Sequence, residues 1–134
     1  MKLLLDTQVW LWMRNAPARL TAKARRILTD ERNELVLSAA TPWEIALKVA
    51  IGKLRLPCTV EEFVASRGVA TRVLPLPITQ LHAVESAALP QHHRDPFDRV
   101  LVAQARLESL RLVSTDHVFE SYDVDVVWAH QRQR

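Results

Sequence analysis

A chain of 134 residues, 49% hydrophobic and 25% charged, has the length and composition of one globular domain able to bury a real core. Its formal charge of +3 makes nucleic acid a reasonable partner without demanding one. Only two glycines, Gly52 and Gly68, exclude a glycine-rich phosphate loop or dinucleotide fingerprint, and the single Cys58 excludes an intrachain disulfide and a cysteine-built zinc site.

The chain opens on Lys2-Leu3-Leu4-Leu5-Asp6-Thr7. An unbroken apolar run fits a strand buried on both faces, as in a parallel sheet. Asp6 falls at its carboxyl end, where open α/β sheets bind ligands. Asp6 also interrupts the run too early for a secretion signal, and no apolar stretch approaches the ~20 residues that span a bilayer. With one cysteine, a reducing cytosol is the expected compartment.

Thr7 to Arg14 reads as a short helix, broken at Ala16-Pro17-Ala18. Trp10 and Trp12 cannot share one face of it, so one is expected in the core and the other at a partner surface. Thr21 is placed to cap a helix from Ala22 to Thr29 that exposes Arg25 and Arg26. Glu34 to Ser38 is a second strand. Thr41-Pro42-Trp43-Glu44 reads as a capping box, with Thr41 as cap and Pro42 at the first helical position. Trp43, Ala46, Leu47 and Ala50 then form that helix's buried stripe, and Gly52 stops it.

Thr59 is expected to cap a helix to about Arg67, and Val69 to Leu76 forms a third strand. Thr79 caps a helix from Gln80 to Leu89, ended by Pro90, and Gln91-His92-His93-Arg94 is a polar loop. Asp95-Pro96-Phe97-Asp98 opens the longest helix, to about Ser109, apolar on two sides and therefore expected against the sheet. Arg111 to Asp116 repeats the opening theme, a short apolar strand ending on an aspartate. Val124 to Trp128 is a last strand, with Trp128, like Trp43, expected in the core. His130 to Arg134 is expected to fray. Strands alternating with helices, without repeat or linker, predict one α/β domain over residues 1–134 with a mostly parallel sheet.

Four acids fall where a strand hands over to a helix: Asp6, Glu44, Asp98 and Asp116. Each alone reads more readily as a helix cap or a first-turn charge than as a site residue, since acids are stabilising there. Together they are harder to explain that way, because in a parallel sheet these handovers share one edge. Carboxylates crowded into one cleft repel, and a hard divalent cation such as Mg²⁺ or Mn²⁺ relieves them. Carboxylate-held metal is also a standard means of hydrolysing phosphodiesters.

The residues now carry a resemblance. Leu4-Leu5-Asp6-Thr7, Ser38-Ala39-Ala40-Thr41-Pro42-Trp43-Glu44, Arg94-Asp95-Pro96-Phe97-Asp98-Arg99 and Ser114-Thr115-Asp116 agree in order and spacing with PIN-domain ribonucleases of the VapC toxin type. The sequence resembles that family over essentially its whole length. The resemblance implies a three-layer α/β/α fold, Mg²⁺-dependent RNA cleavage, a cognate antitoxin that occludes the site, and a homodimer. It implies Asp6 and Asp98 as direct metal ligands, with Glu44 and Asp116 completing the acidic centre directly or through water. Asp95 would assist, and the hydroxyls of Thr7 and Ser114 would orient ligands or water.

Arg25, Arg26, Lys48, Arg94 and Arg99 are candidate phosphate contacts, and Arg99 could equally pair with a neighbouring acid. A metal-independent ribonuclease would need a histidine pair, for which His92 and His93 are the candidates. A haloacid-dehalogenase-type phosphatase would need an aspartate two residues after Asp6, where Gln8 stands. A non-catalytic RNA- or protein-binding module, its acids only capping helices, is the other alternative.

Overall fold

The structure is a computed structural model and describes residues 1–66, 72–91 and 95–129. Five parallel strands form its sheet: β1 (Lys2–Leu5), β2 (Glu34–Ser38), β3 (Val73–Leu76), β4 (Arg111–Ser114) and β5 (Val126–Trp128), in the order β3-β2-β1-β4-β5. The chain winds outward from β1 to β3, then returns to lay β4 on the other side of β1. The order therefore reverses between β1 and β4, a switch point where a crevice opens beyond the strands' carboxyl ends.

The leucine run shows why the sheet is covered twice. Leu3, Leu4 and Leu5 are all fully buried, but alternate side chains of a strand point to opposite faces. Leu3 and Leu5 join Leu35, Leu37 and Val113 in one core, closed by α1 (Thr7–Asn15), α2 (Ala22–Thr29), α3 (Ala40–Ala50) and α4 (Val60–Ala65). Leu4 joins Val36 and Leu112 in the other, closed by α6 (Pro96–Leu107), with Leu89 just after α5 (Gln80–Ala88). The result is the expected three-layer α/β/α arrangement. Among the described residues no helix is long and apolar enough to cross a membrane.

Local signals set most boundaries. The hydroxyls of Thr21, Thr59 and Thr79 accept the backbone N–H groups of Ala24, Glu62 and His82 at 3.0–3.1 Å, capping α2, α4 and α5. Gly52, at φ 75°, ends α3: its N–H reaches Val49 O and that of Lys53 reaches Lys48 O, the double bond of a Schellman turn. Ser109, at φ 55°, follows the end of α6.

Other expectations need correction. Thr41 is not a cap, and Glu44 completes no capping box. α3 starts at Ala40, and Ser38 Oγ accepts the Ala40 N–H at 3.0 Å. Pro42 sits at the third helical position, where its missing N–H is still one no helical carbonyl requires. The stripe assigned to Trp43, Ala46, Leu47 and Ala50 is likewise not the buried one. Trp43 is 52% exposed and Leu47 45%, whereas Thr41, Glu44 and Ile45 are buried. Periodicity selected the more apolar face of α3, but the inward face is mixed: Ile45 joins the core, while Thr41 and Glu44 turn toward Thr7 at the pocket.

Trp10 is core, stacked edge-on against Phe63 at 5.2 Å. Trp12 is half-buried under the Arg19 guanidinium, and Trp128 is half-buried against the His117 ring rather than core. The expected strand segment 69–71, the loop residues His92, His93 and Arg94, and the tail 130–134 lie outside the described residues.

Candidate functional site

At the switch point, a pocket of about 600 Å³ opens over the carboxyl ends of β1 and β4. Asp6, Glu44, Asp95, Asp98 and Asp116 all line it, together with Lys48, Lys53 and His117. Five carboxylates face two ammonium groups, so the cavity is electronegative.

Asp6 sits at the cap position of α1, yet its side chain caps nothing. It is 7% exposed, and Ser114 Oγ on the neighbouring strand donates to its Oδ2 at 2.7 Å. The same hydroxyl accepts the Asp116 N–H at 3.0 Å, so one serine ties the two strand ends together. Burial pushes the Asp6 carboxyl up to about 6, opposed by the Ser114 bond and raised further by the charges of Glu44 and Asp116.

Glu44 reaches the pocket from α3 and is 6% exposed. Thr7 Oγ1 donates to its Oε1 at 2.7 Å and lies 3.0 Å from the hydroxyl of Thr41. Lys48 Nζ donates to Oε2 at 2.6 Å. That bond holds the Lys48 ammonium above the usual lysine range, against a lowering by burial and with help from Glu44, Asp95 and Asp98.

The start of α6 divides its charged residues. Asp95 is the cap, accepting the N–H groups of Phe97 and Asp98 at 2.9 and 3.4 Å. Asp98, in the first turn, faces the pocket. Arg99 does not. Its guanidinium turns away and donates to the carbonyls of Ser86, Leu89 and Pro90 at 2.9–3.0 Å, and to Ala87 at 3.4 Å, closing the end of α5. The expectation that Arg99 contacts phosphate at the pocket is thereby corrected. Burying a guanidinium needs several acceptors, and the carbonyls at a helix end supply them.

Asp116 caps the 3₁₀ turn His117–Ser121, Oδ1 accepting the Val118 N–H at 3.0 Å, while also lining the pocket. The cap or first-turn explanation thus holds in part for Asp116 and for Asp98, which follows the cap Asp95, but no cap is made by Asp6 or Glu44. Sequence reasoning missed Thr41, whose hydroxyl joins the Thr7–Glu44 network, and Lys53, which the Schellman turn sets at the pocket rim. Arg25 and Arg26 are exposed on α2 and do not line the pocket.

Among the described residues no three His, Cys, Asp or Glu side chains lie close enough to hold an ion between them as they stand. The donor chemistry nevertheless suits a hard divalent cation: carboxylate oxygens from four parts of the chain, a hydroxyl shell, and one buried acid pressed by two others.

A PIN-domain family model matches residues 3–125. The chain is 36% identical to Ribonuclease VapC16 of Mycobacterium tuberculosis over 74 residues, 52% of each chain, so it spans about half the length of that relative. By fold it is similar to VapBC2 from Rickettsia felis bound to a promoter DNA fragment, with a TM-score of 0.69 and 13% identity over 96% of this chain and 99% of that one. It is also similar to VapBC-5 from Mycobacterium tuberculosis, a member of the VapBC family of toxin–antitoxin systems. There the TM-score is 0.58 and the identity 18%, over 97% of this chain and 98% of that one.

Proposed function

The chain belongs to the PIN-domain family, and from that premise we propose that it is a Mg²⁺-dependent endoribonuclease, the toxin of a toxin–antitoxin pair. The observation that carries this reading is Asp6. It is a buried carboxyl at the carboxyl end of the central strand, spent on no cap and facing Glu44, Asp98 and Asp116 across one pocket. The matched relative is named a ribonuclease, and the similar folds come from toxin–antitoxin assemblies, which supports the substrate class and the partner.

In this reading Asp6 and Asp98 would hold the cation directly, and Glu44 and Asp116 would do so directly or through water. The bound cation, Mg²⁺ or Mn²⁺, supplies an acidified water and charge neutralisation at the scissile phosphate. The chain's own groups do the rest. Ser114 fixes the Asp6 carboxylate, and Thr7 fixes Glu44. Lys48 and Lys53 offset the negative charge that the RNA backbone brings. In-line attack of water on phosphorus, with the P–O3′ bond breaking and the 3′-oxygen taking up a proton, would give a 5′-phosphate and a 3′-hydroxyl and need no protein nucleophile.

An antitoxin segment that occludes the pocket and a second copy of the chain are the proposed protein partners. Trp43, Leu47 and Ile51 (64% exposed) leave an apolar stripe along α3, next to the face carrying Glu44 and Lys48. Such a stripe supports a protein contact there.

The test uses the purified chain, freed of co-purifying protein, and a mixed pool of structured RNAs. The arms are Mg²⁺, Mn²⁺, EDTA, and Asp6→Asn with Mn²⁺. Cleavage should require metal, leave 5′-phosphate ends and vanish in Asp6→Asn while the fold is retained. Cleavage that survives EDTA and Asp6→Asn sinks the reading. Absence of both cleavage and Mn²⁺ binding would favour a non-catalytic binding module.

A further inference from the structure

We propose that Lys48 is a built-in counter-ion that occupies Glu44 in place of a divalent cation, so that this lysine sets the affinity with which the pocket takes up metal. The inference rests on the metal-dependent reading and deepens it. Glu44 already has both oxygens engaged, Oε1 by the Thr7 hydroxyl at 2.7 Å and Oε2 by Lys48 Nζ at 2.6 Å. A cation approaching Oε2 has to compete with the ammonium for that oxygen and meets its positive charge beside it.

A glutamate and a lysine four residues apart on a helix are ordinarily a solvated surface pair, worth little. This pair is placed differently. The Glu44 side chain is only 8% exposed, and its partner lines the same cavity as Asp95 and Asp98. A buried carboxylate beside like charges has to be neutralised, and Lys48 does this from within the chain. The lysine side chain is itself 47% exposed and rides on a flexible stem, so it can withdraw into solvent without opening the core. Thr7 would still hold Oε1 after it leaves.

Removing the lysine acts twice in the same direction. It frees Oε2, and it removes a positive charge beside the incoming cation. Both tighten metal binding. A merely structural salt bridge predicts no change in affinity, only a small loss of helix stability.

The experiment is calorimetric titration of Mn²⁺ into the full chain at fixed pH and ionic strength. The chains are wild type, Lys48→Met, Lys48→Arg, Lys53→Met, Glu44→Gln and the Lys48→Met/Glu44→Gln double variant, each checked by circular dichroism. Lys48→Met should bind Mn²⁺ about three- to tenfold more tightly. Lys48→Arg should stay within about twofold of wild type, since the charge is kept. In the Glu44→Gln background Lys48→Met should keep only the smaller, charge-derived part of its effect, comparable to that of Lys53→Met, because the carboxylate it competes for is gone. Lys53→Met removes a pocket-rim charge without touching Glu44 and should have a smaller effect.

Unchanged or weaker binding in Lys48→Met overturns the inference. So does an equal effect in Lys53→Met, which would make the effect general electrostatics. Either result, with Mn²⁺-dependent cleavage intact, leaves the nuclease reading standing. If no chain binds Mn²⁺, both fall together.

Discussion

Asp98 and Arg99 are neighbours in sequence and enter two polar clusters built on opposite terms. Arg99, 8% exposed, donates to carbonyls at the end of α5, and the same helix pair is clipped a second time by His82. That buried imidazole accepts the Thr79 N–H at 3.0 Å through Nδ1 and meets Glu108 through Nε2 at 2.8 Å. Charge and acceptor are matched there, and the cluster holds α5 to α6. Around Asp6 the neighbours are like charges, and the carboxyl is held only by Ser114 and a backbone N–H. A buried polar group that is satisfied stabilises a fold. One left under strain marks a place where something else binds.

The contrast can be broken most sharply at Arg99. Arg99→Met should lower unfolding free energy by about 3 kcal/mol in urea, because several buried carbonyls lose their donor. A loss under about 1 kcal/mol would mean water or the neighbouring chain replaces it, and the cluster is not a clip.

Asp6 should respond in the opposite sense. Its folded pKa, about 6, lies above its ordinary value, so the folded metal-free chain binds this proton more tightly than the unfolded chain. Stability therefore falls as pH rises from about 4 to about 6, and the full penalty persists above that. Asp6→Asn should raise the metal-free stability at pH 7 by on the order of 2 kcal/mol, with the gain vanishing near pH 4. Denaturant titrations of both proteins at the two pH values read this directly. A variant less stable than wild type at pH 7 would show that Asp6 is a structural residue.

The smallest effect is expected at Ser114, which mitigates the strain without removing it. Ser114→Ala should cost about 1 kcal/mol at pH 8 and less at pH 4, since the lost bond favours the ionised Asp6. Carboxyl chemical shifts against pH should place the Asp6 transition above that of wild type. An unmoved transition would mean the serine only packs.

Much of the framework was legible in local sequence. The leucine run, the threonine caps at residues 21, 59 and 79, and the stop at Gly52 each act within a few residues, and each lies where reading them put it. The set of acids at the strand ends was legible too, since parallel topology alone brings handovers to one edge. Trp43 was misread because an amphipathic pattern reports which face of a helix is more apolar, not which face is turned inward. α3 turns Thr41 and Glu44 inward because Thr7 waits there, and so leaves Trp43 in edge contact with Phe97 and half exposed.

What the sequence determined by itself is the order and type of the elements and the presence of carboxylates at one edge, because those follow from chain-local forces and the side-chain period. Tertiary structure alone decided the pairings within the site. Ser114 meets Asp6 across 108 residues and Thr7 meets Glu44 across 37, contacts that depend on strand order and helix rotation. It also decided that Asp98 enters the pocket while Arg99 leaves it. One residue advances a helix by ~100°, enough to send adjacent charges to opposite sides, and only packing against the sheet sets which side is which.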